Sequence, residues 1–413
     1  MTWLNPFLIT ALTGVGLMAI AAALAGLLRS ARLPGGAPAA GVVGGLLAGT
    51  LLGLTVLGRV APDLGDRLYL GVGAERAALT EMQRRHATEL LALRDLDVTP
   101  VAVEDHAAMQ ARKIAPLRAA VEAAEQKNAR VWALTLALVG SAWLLSAGLS
   151  SARARRARSA AEAAPRAVIA GLLACFLAGA AVFLLSRWTM RTGVTEAAAF
   201  ACAMAAFGPG ASSAAHRLLR SASARRSAGL AAGAALVAAL IGIAVLAPGW
   251  PTGALLGAGV GAVVIRARLP LRRGGRRAAR RLASGALAPG AVAIAAAHAD
   301  FIGTATQSRF WIALVIAVIL TADARWIGGW AGWNSVGTTG QRGTAWSRSA
   351  VMLAGGVGAA QALIAGMAFL SGVLPAAALA ALVLAAPTID LPCRLRGRLS
   401  AALDHHQPIQ PSE

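Results

Sequence analysis

The sequence predicts an all-α membrane protein, a polytopic helix bundle of roughly eleven spans. Three observations lead there: composition, the recurrence of long apolar runs, and the placement of arginine. The chain has 413 residues, of which 57% are hydrophobic and 14% charged, and its mean hydropathy is +0.64. Soluble domains carry about 25% charged residues, so a soluble fold is excluded. Apolar runs long enough to cross a hydrocarbon core recur almost from end to end. A membrane β-barrel would instead show short segments of alternating hydrophobicity.

The expected spans lie near 4–28, 39–58, 131–150, 167–186, 194–215, 229–247, 252–265, 283–299, 310–328, 350–370 and 374–390. No Lys or Arg precedes the first apolar run, which continues to about Leu28, so it is expected to stay as a helix and not be removed as a signal peptide. The formal charge of +21 is almost all arginine in short segments between runs. Arg29 and Arg32 follow the first span, Arg153 to Arg158 the third, Arg217 to Arg226 the fifth, Arg266 to Arg281 the seventh, Arg342 and Arg348 the ninth, and Arg394 to Arg398 the last. Each cluster follows an odd-numbered span. Basic loops collect in the cytoplasm, so the expected topology is multi-pass in a bacterial inner membrane, N-terminus outside and C-terminus cytoplasmic. The basic segments lack interleaved aromatics, so the charge serves orientation in the lipid bilayer and not nucleic acid.

Four segments follow: 1–61 with two spans, 62–130 as an external helical hairpin, 131–392 as a membrane core of nine spans, and 393–413 as a cytoplasmic tail. The 62–130 segment holds both lysines and eleven of the eighteen acidic residues. Leu79, Met82, Leu90 and Leu93 form one apolar stripe, and Ile114, Leu117, Val121 and Ala124 form a second at heptad-like spacing. Pro100 separates the two, and Pro116 is expected to kink or restart the second helix. The stripes suit either packing of the hairpin on itself or docking of a partner, including a second copy in a homodimer.

Chemistry-bearing residues are few. Cys175, Cys202 and Cys393 lie far apart, with neither disulfide nor metal spacing. No nucleophile–base spacing appears, so the chain is not expected to be an enzyme, and no cofactor or metal is expected. An ionisable residue near a span is costly unless paired or hydrated, which makes each one a functional candidate. Glu196, His216 and Asp390 fall near expected helix ends, where reaching the interface explains them. His298 and Asp300 sit at the outer end of the eighth span, either as a proton or ion site or as an interfacial cap. Asp323 and Arg325 are two residues apart and point to different helix faces. Gly208-Pro209-Gly210 would interrupt the fifth span, giving either a substrate-site break or a plain kink. Trp3, Trp188, Trp250, Trp311 and Trp330 lie near span ends, as interfacial anchors do.

From residue 33 onward the chain resembles the monovalent cation:proton antiporter (sodium/hydrogen exchanger) superfamily. LPGGAPAAGVVGGLLAGTLLGLTVLGRVAPDLGDRLYLG resembles that family's second helix, with Gly45, Gly49, Gly53, Leu57, Gly58 and Pro62 in place and Leu54 where a proline is usual. Such glycines allow close helix approach. LVGSAWLLSAGLSSARARR resembles the third helix, with Ser150 in an acidic place; TEAAAFACAMAAFGPGASSAAHRLL resembles the broken helix, keeping Pro209 but with Phe207 and Gly208 at polar positions. LAPGAVAIAAAHADF and ADARWIGGWAG resemble two later segments, with Arg325 at a basic position. The resemblance implies a secondary transporter exchanging protons for a monovalent cation, Na⁺ or K⁺, with candidate pathway residues Arg325, Asp323, Asp300 and His298. Two departures stand beside it. The family usually has about thirteen spans, and the helix that should carry its acidic pair reads SAGLAAGAALVAALIGIAVLA, without an ionisable residue. A relative that no longer transports, acting as a scaffold or regulatory subunit, is the alternative.

Overall fold

The computed structural model describes residues 6–31, 36–95, 100–150, 164–205, 222–269, 273–320 and 357–387. Its regular structure is helical throughout, with no strand among the described residues. Among the described residues, five helical stretches are long and apolar enough to cross a membrane: Leu8–Ser30, Ala39–Val60, Glu104–Ser150, Ala167–Met190 and Gly229–Leu246. Five shorter apolar helices accompany them. The architecture is that of an all-α membrane protein.

In chain order the helices are α1 (Pro6–Ser30), α2 (Gly36–Leu52), α3 (Gly73–Asp95), α4 (Pro100–Ser150), α5 (Ala164–Met190), α6 (Val194–Ala205), α7 (Ala222–Leu246) and α8 (Trp250–Arg268). Then come α9 (Arg273–Leu282), α10 (Ala288–Ala297), α11 (Ser308–Val315), α12 (Val357–Leu370) and α13 (Ala376–Pro387). A π turn, Ala283–Leu287, joins α9 to α10.

Many large apolar side chains face outward. Leu12, Val15, Phe176, Leu184 and Val245 are more than half exposed, whereas alanine is the commonest buried residue of α10, α12 and α13. In lipid the large apolar side chains lose nothing by facing outward, and small ones inside let backbones approach. Trp188, Trp250 and Trp311 are also exposed, each close to a helix end, as anchors require.

The α2 glycines carry the closest packing. A Cβ at Gly45 would overlap Pro289 O, one at Gly49 would overlap Ala293 O, and one at Gly53 would overlap the backbone of Ala297. Gly44, on another face, meets Ala25 of α1 at 2.6 Å from its would-be Cβ. Thus α2 lies between α1 and α10 at backbone distance. A second group packs α7 on α5, α6 and α8, while α4 and α12 touch members of both groups. In α7, where the resemblance would have an acidic pair, Ala231, Ala232 and Ala235 are fully buried.

The second expected span, 39–58, falls within the apolar helical stretch Ala39–Val60, in which regular helix is interrupted between Leu52 and Leu57. One expectation is corrected: Pro116 does not restart a helix, since α4, 51 residues long in all, runs through it. Pro116 itself is exposed, and its ring nitrogen has no hydrogen to give to the carbonyl one turn back. Consequently the 62–130 hairpin and the following span share one helix across residue 130. The hairpin stripes pair as spaced: Leu79, Met82, Leu90 and Leu93 are half-buried on α3, opposite Ile114, Leu117 and Val121 on α4.

Candidate functional site at a paired helix interruption

The break after α2 and the break after α10 meet, and each satisfies the other's backbone. Leu54 N–H donates to Ala297 O at 2.9 Å. Thr55 Oγ1 donates to Ala299 O at 2.6 Å and accepts from Phe301 N–H at 3.2 Å. Unwound backbone inside an apolar bundle is tolerated only where such partners exist. Gly53 makes the crossing possible, since any side chain there would occupy the Ala297 backbone.

His298 caps the C-terminal end of α10 at this crossing and is 4% exposed. Its Nδ1 lies 2.9 Å from Ile294 O, which makes that nitrogen the protonated donor. The other nitrogen, Nε2, is buried with no hydrogen-bond partner. Two aromatic rings meet the imidazole edge-on: Trp132 at 4.8 Å and Tyr69 at 5.6 Å between centroids. Those two rings stack on each other at 5.6 Å.

The cage is held from three sides. Tyr69 OH donates to Leu52 O at 2.6 Å, at the last residue of α2. Burial pushes the Tyr69 phenol up to about 12, in the direction that keeps its hydroxyl a donor. Trp132 Nε1–H donates to Leu68 O at 3.3 Å, and Asn128 Nδ2 donates to Tyr69 O at 2.8 Å. Gly71, in the left-handed region at φ 69°, turns the chain from the Tyr69 segment into α3. Arg76 then pins that turn to both Asp66 and Glu125, at 2.6 and 2.9 Å. The base of the hairpin therefore forms one wall of the site.

Asp300 is two residues from His298 and differently employed. Its Oδ1 accepts from Gly303 N–H at 2.9 Å as an N-cap and lies 3.4 Å from Arg59, both side chains being about half exposed. The crossing thus passes from a solvent-facing ion pair at Asp300 to a buried imidazole. Asp323, Arg325, Gly208, Pro209 and Gly210 lie outside the described residues, as do His216 and Asp390. Glu196 stands in the first turn of α6, partly buried, as a helix-end residue.

Further along the bundle two more polar atoms are buried without partners, Ser141 Oγ and Gln361 Oε1. Gln361 is fully buried and donates its Nε2 to Leu382 O at 2.8 Å. Leu136 lies against Gly366 and Leu363 against Gly140, so α4 and α12 run antiparallel. That direction sets Gln361 level with the Ser141 turn, about 14 Å along α4 from the Trp132 level at the α-helical rise.

Tyr69, Trp132, Asn128 and Thr55 were not singled out from sequence. Only Tyr69 offered a signal, as the one tyrosine of the chain. No family model, no curated protein and no solved structure matches the chain. The geometry alone has to carry the functional reading.

Proposed function

We propose that this chain is a secondary transporter that exchanges a monovalent cation, Na⁺ or K⁺, for protons, and that His298 is a proton-carrying group of the pathway. The observation that supports it is a buried imidazole with one unpartnered nitrogen, set where two interrupted helices cross. Interrupted helices at which backbone groups face a shared site are a recurring transporter device. An imidazole takes up and releases a proton without a large rearrangement. The likeness of residues 33–71 to the antiporter superfamily agrees with this, as does the α1–α2–α10 group packed apart from α5–α8. In this reading the chain has eleven spans in a bacterial inner membrane, N-terminus outside, and Asp323 and Arg325 belong to the same pathway.

A second reading, a non-transporting relative that serves as scaffold or regulatory subunit, is favoured by one observation. Residues 222–246 contain no acidic side chain, and alanines fill the buried face there.

The test is proton flux in proteoliposomes under inward Na⁺, K⁺ and Li⁺ gradients, for wild type, His298→Gln, Asp300→Asn, Asp323→Asn and Arg325→Ala. Cation-dependent flux abolished by His298→Gln, in a variant of unchanged melting temperature, supports transport through this site. Absence of flux with every cation in wild type supports the scaffold reading.

A further inference from the structure

Near the free end of the α3–α4 hairpin the apolar seam is interrupted by a polar layer. Along α3 the half-buried positions run Leu79, Met82, His86, Leu90, Leu93, so His86 stands where the heptad calls for an apolar residue. Opposite it on α4, Gln110 is buried and precedes Ile114 in the same stripe. Glu89 lies one turn from His86, and His106 one turn from Gln110, so the four side chains face one another across the seam.

His86, Glu89 and His106 each present a ligand-type atom, and these atoms all lie within 4.8 Å of one another. His106 Nε2 and Glu89 Oε2 are in hydrogen-bond contact at 3.2 Å, close enough for one cation to replace the shared proton. His86 Nδ1 is buried and has no hydrogen-bond partner, an odd state for a polar atom in a seam that water borders. Gln110 Nε2 donates to the same Glu89 oxygen at 2.8 Å, the kind of outer contact that aims a ligating carboxylate.

We propose that this layer is a binding site for a divalent transition cation of the zinc class, with His86, Glu89 and His106 as protein ligands and water in the remaining position. Two imidazoles with one carboxylate suit Zn²⁺ and Co²⁺ and disfavour Mg²⁺ and Ca²⁺, which take oxygen ligands. Binding asks these donors to close from within 4.8 Å of one another, on side chains that the two helices already hold on facing surfaces. Bound metal would staple α3 to α4 some 37 Å from residue 131, by the helical rise over the 25 residues back to His106. The inference does not depend on whether the chain transports ions.

The full-length protein in detergent, freed of metal by chelation, is titrated with Co²⁺ while visible d–d absorbance is read, then back-titrated with Zn²⁺. One saturable equivalent is expected, displaced by Zn²⁺ and not by Mg²⁺. His86→Asn and His106→Gln keep the layer polar and foldable. Each should weaken Co²⁺ by more than about tenfold, the least effect seen even for outer-shell losses, at unchanged helicity. Gln110→Ala should weaken it less. Absence of saturable Co²⁺ and Zn²⁺ binding overturns the proposal. So does binding that persists undiminished in the double variant, which assigns the ion elsewhere, for instance to His405 and His406.

Discussion

Asn128 shows how much one residue holds at this site. It is 7% exposed, donates to Tyr69 O, and accepts from Thr10 Oγ1 at 3.4 Å, so it links α1, α4 and the segment that carries the cage tyrosine. Asn128→Ala leaves the Tyr69 carbonyl unsatisfied in a buried place, which costs about 1–3 kcal/mol. The expected result is a lowered melting temperature in detergent, with Lys127→Ala, at an exposed neighbouring position, nearly unchanged. Equal melting temperatures for the two variants would remove Asn128 from the cage architecture. The same residue scale separates His298 from Asp300. Asp300 is occupied by a helix cap and an arginine, whereas His298 has a nitrogen left over. Sequence proximity made them equal candidates; hydrogen bonding distinguishes them.

At the scale of elements, α2 is defined by what it lacks. Its glycines at 41, 45, 49 and 53 recur every four residues and form one ridge, and that ridge lies against α10. Gly49→Ala puts a methyl 2.6 Å from Ala296 Cβ and closer still to Ala293 O, and overpacking of this kind costs about 1–3 kcal/mol. Gly26 of α1 has nothing within 4 Å of a would-be Cβ, so Gly26→Ala should be neutral or stabilising by up to about 1 kcal/mol. Thermal unfolding of the two variants side by side checks the packing, and similar shifts would refute it. The hairpin teaches the opposite lesson about a sequence signal. Proline removes one hydrogen bond wherever it stands inside a helix, yet α4 runs through the exposed Pro116 to Ser150.

For the whole molecule, the one-sided arginine clusters make a prediction about sidedness. In a background with Cys175, Cys202 and Cys393 replaced, Arg112→Cys on the hairpin and Arg277→Cys on α9 give two exposed reporters. A membrane-impermeant maleimide added to intact cells should label position 112 and not position 277. Labelling of 277 alone would invert the proposed topology. The bundle is consistent with embedding in lipid, because alanine is the commonest buried residue of α10, α12 and α13 while leucines, valines and Phe176 are among the large side chains that face out. In water that distribution would expose far more apolar area than a monomer tolerates.

Helix as the regular structure of the described residues, the apolar stretches and the heptad stripes of the hairpin were legible in the sequence, because they follow from hydropathy and period, which are local. Gly45, Gly49 and Gly53 were singled out through the family resemblance as permitting close helix approach, and four-residue spacing puts them on one face. Other features depended on residues distant in sequence coming together. The helix interruption at 53–56 exists because Leu54 and Thr55 find Ala297 and Ala299, more than 240 positions away. The cage brings Tyr69 and Trp132 to His298, and the hairpin seam brings His106 to His86 and Glu89. Hydrogen-bond partners and ring contacts of this kind carry no periodic signature, so only the tertiary structure decided which polar groups are satisfied and which are left to bind something else.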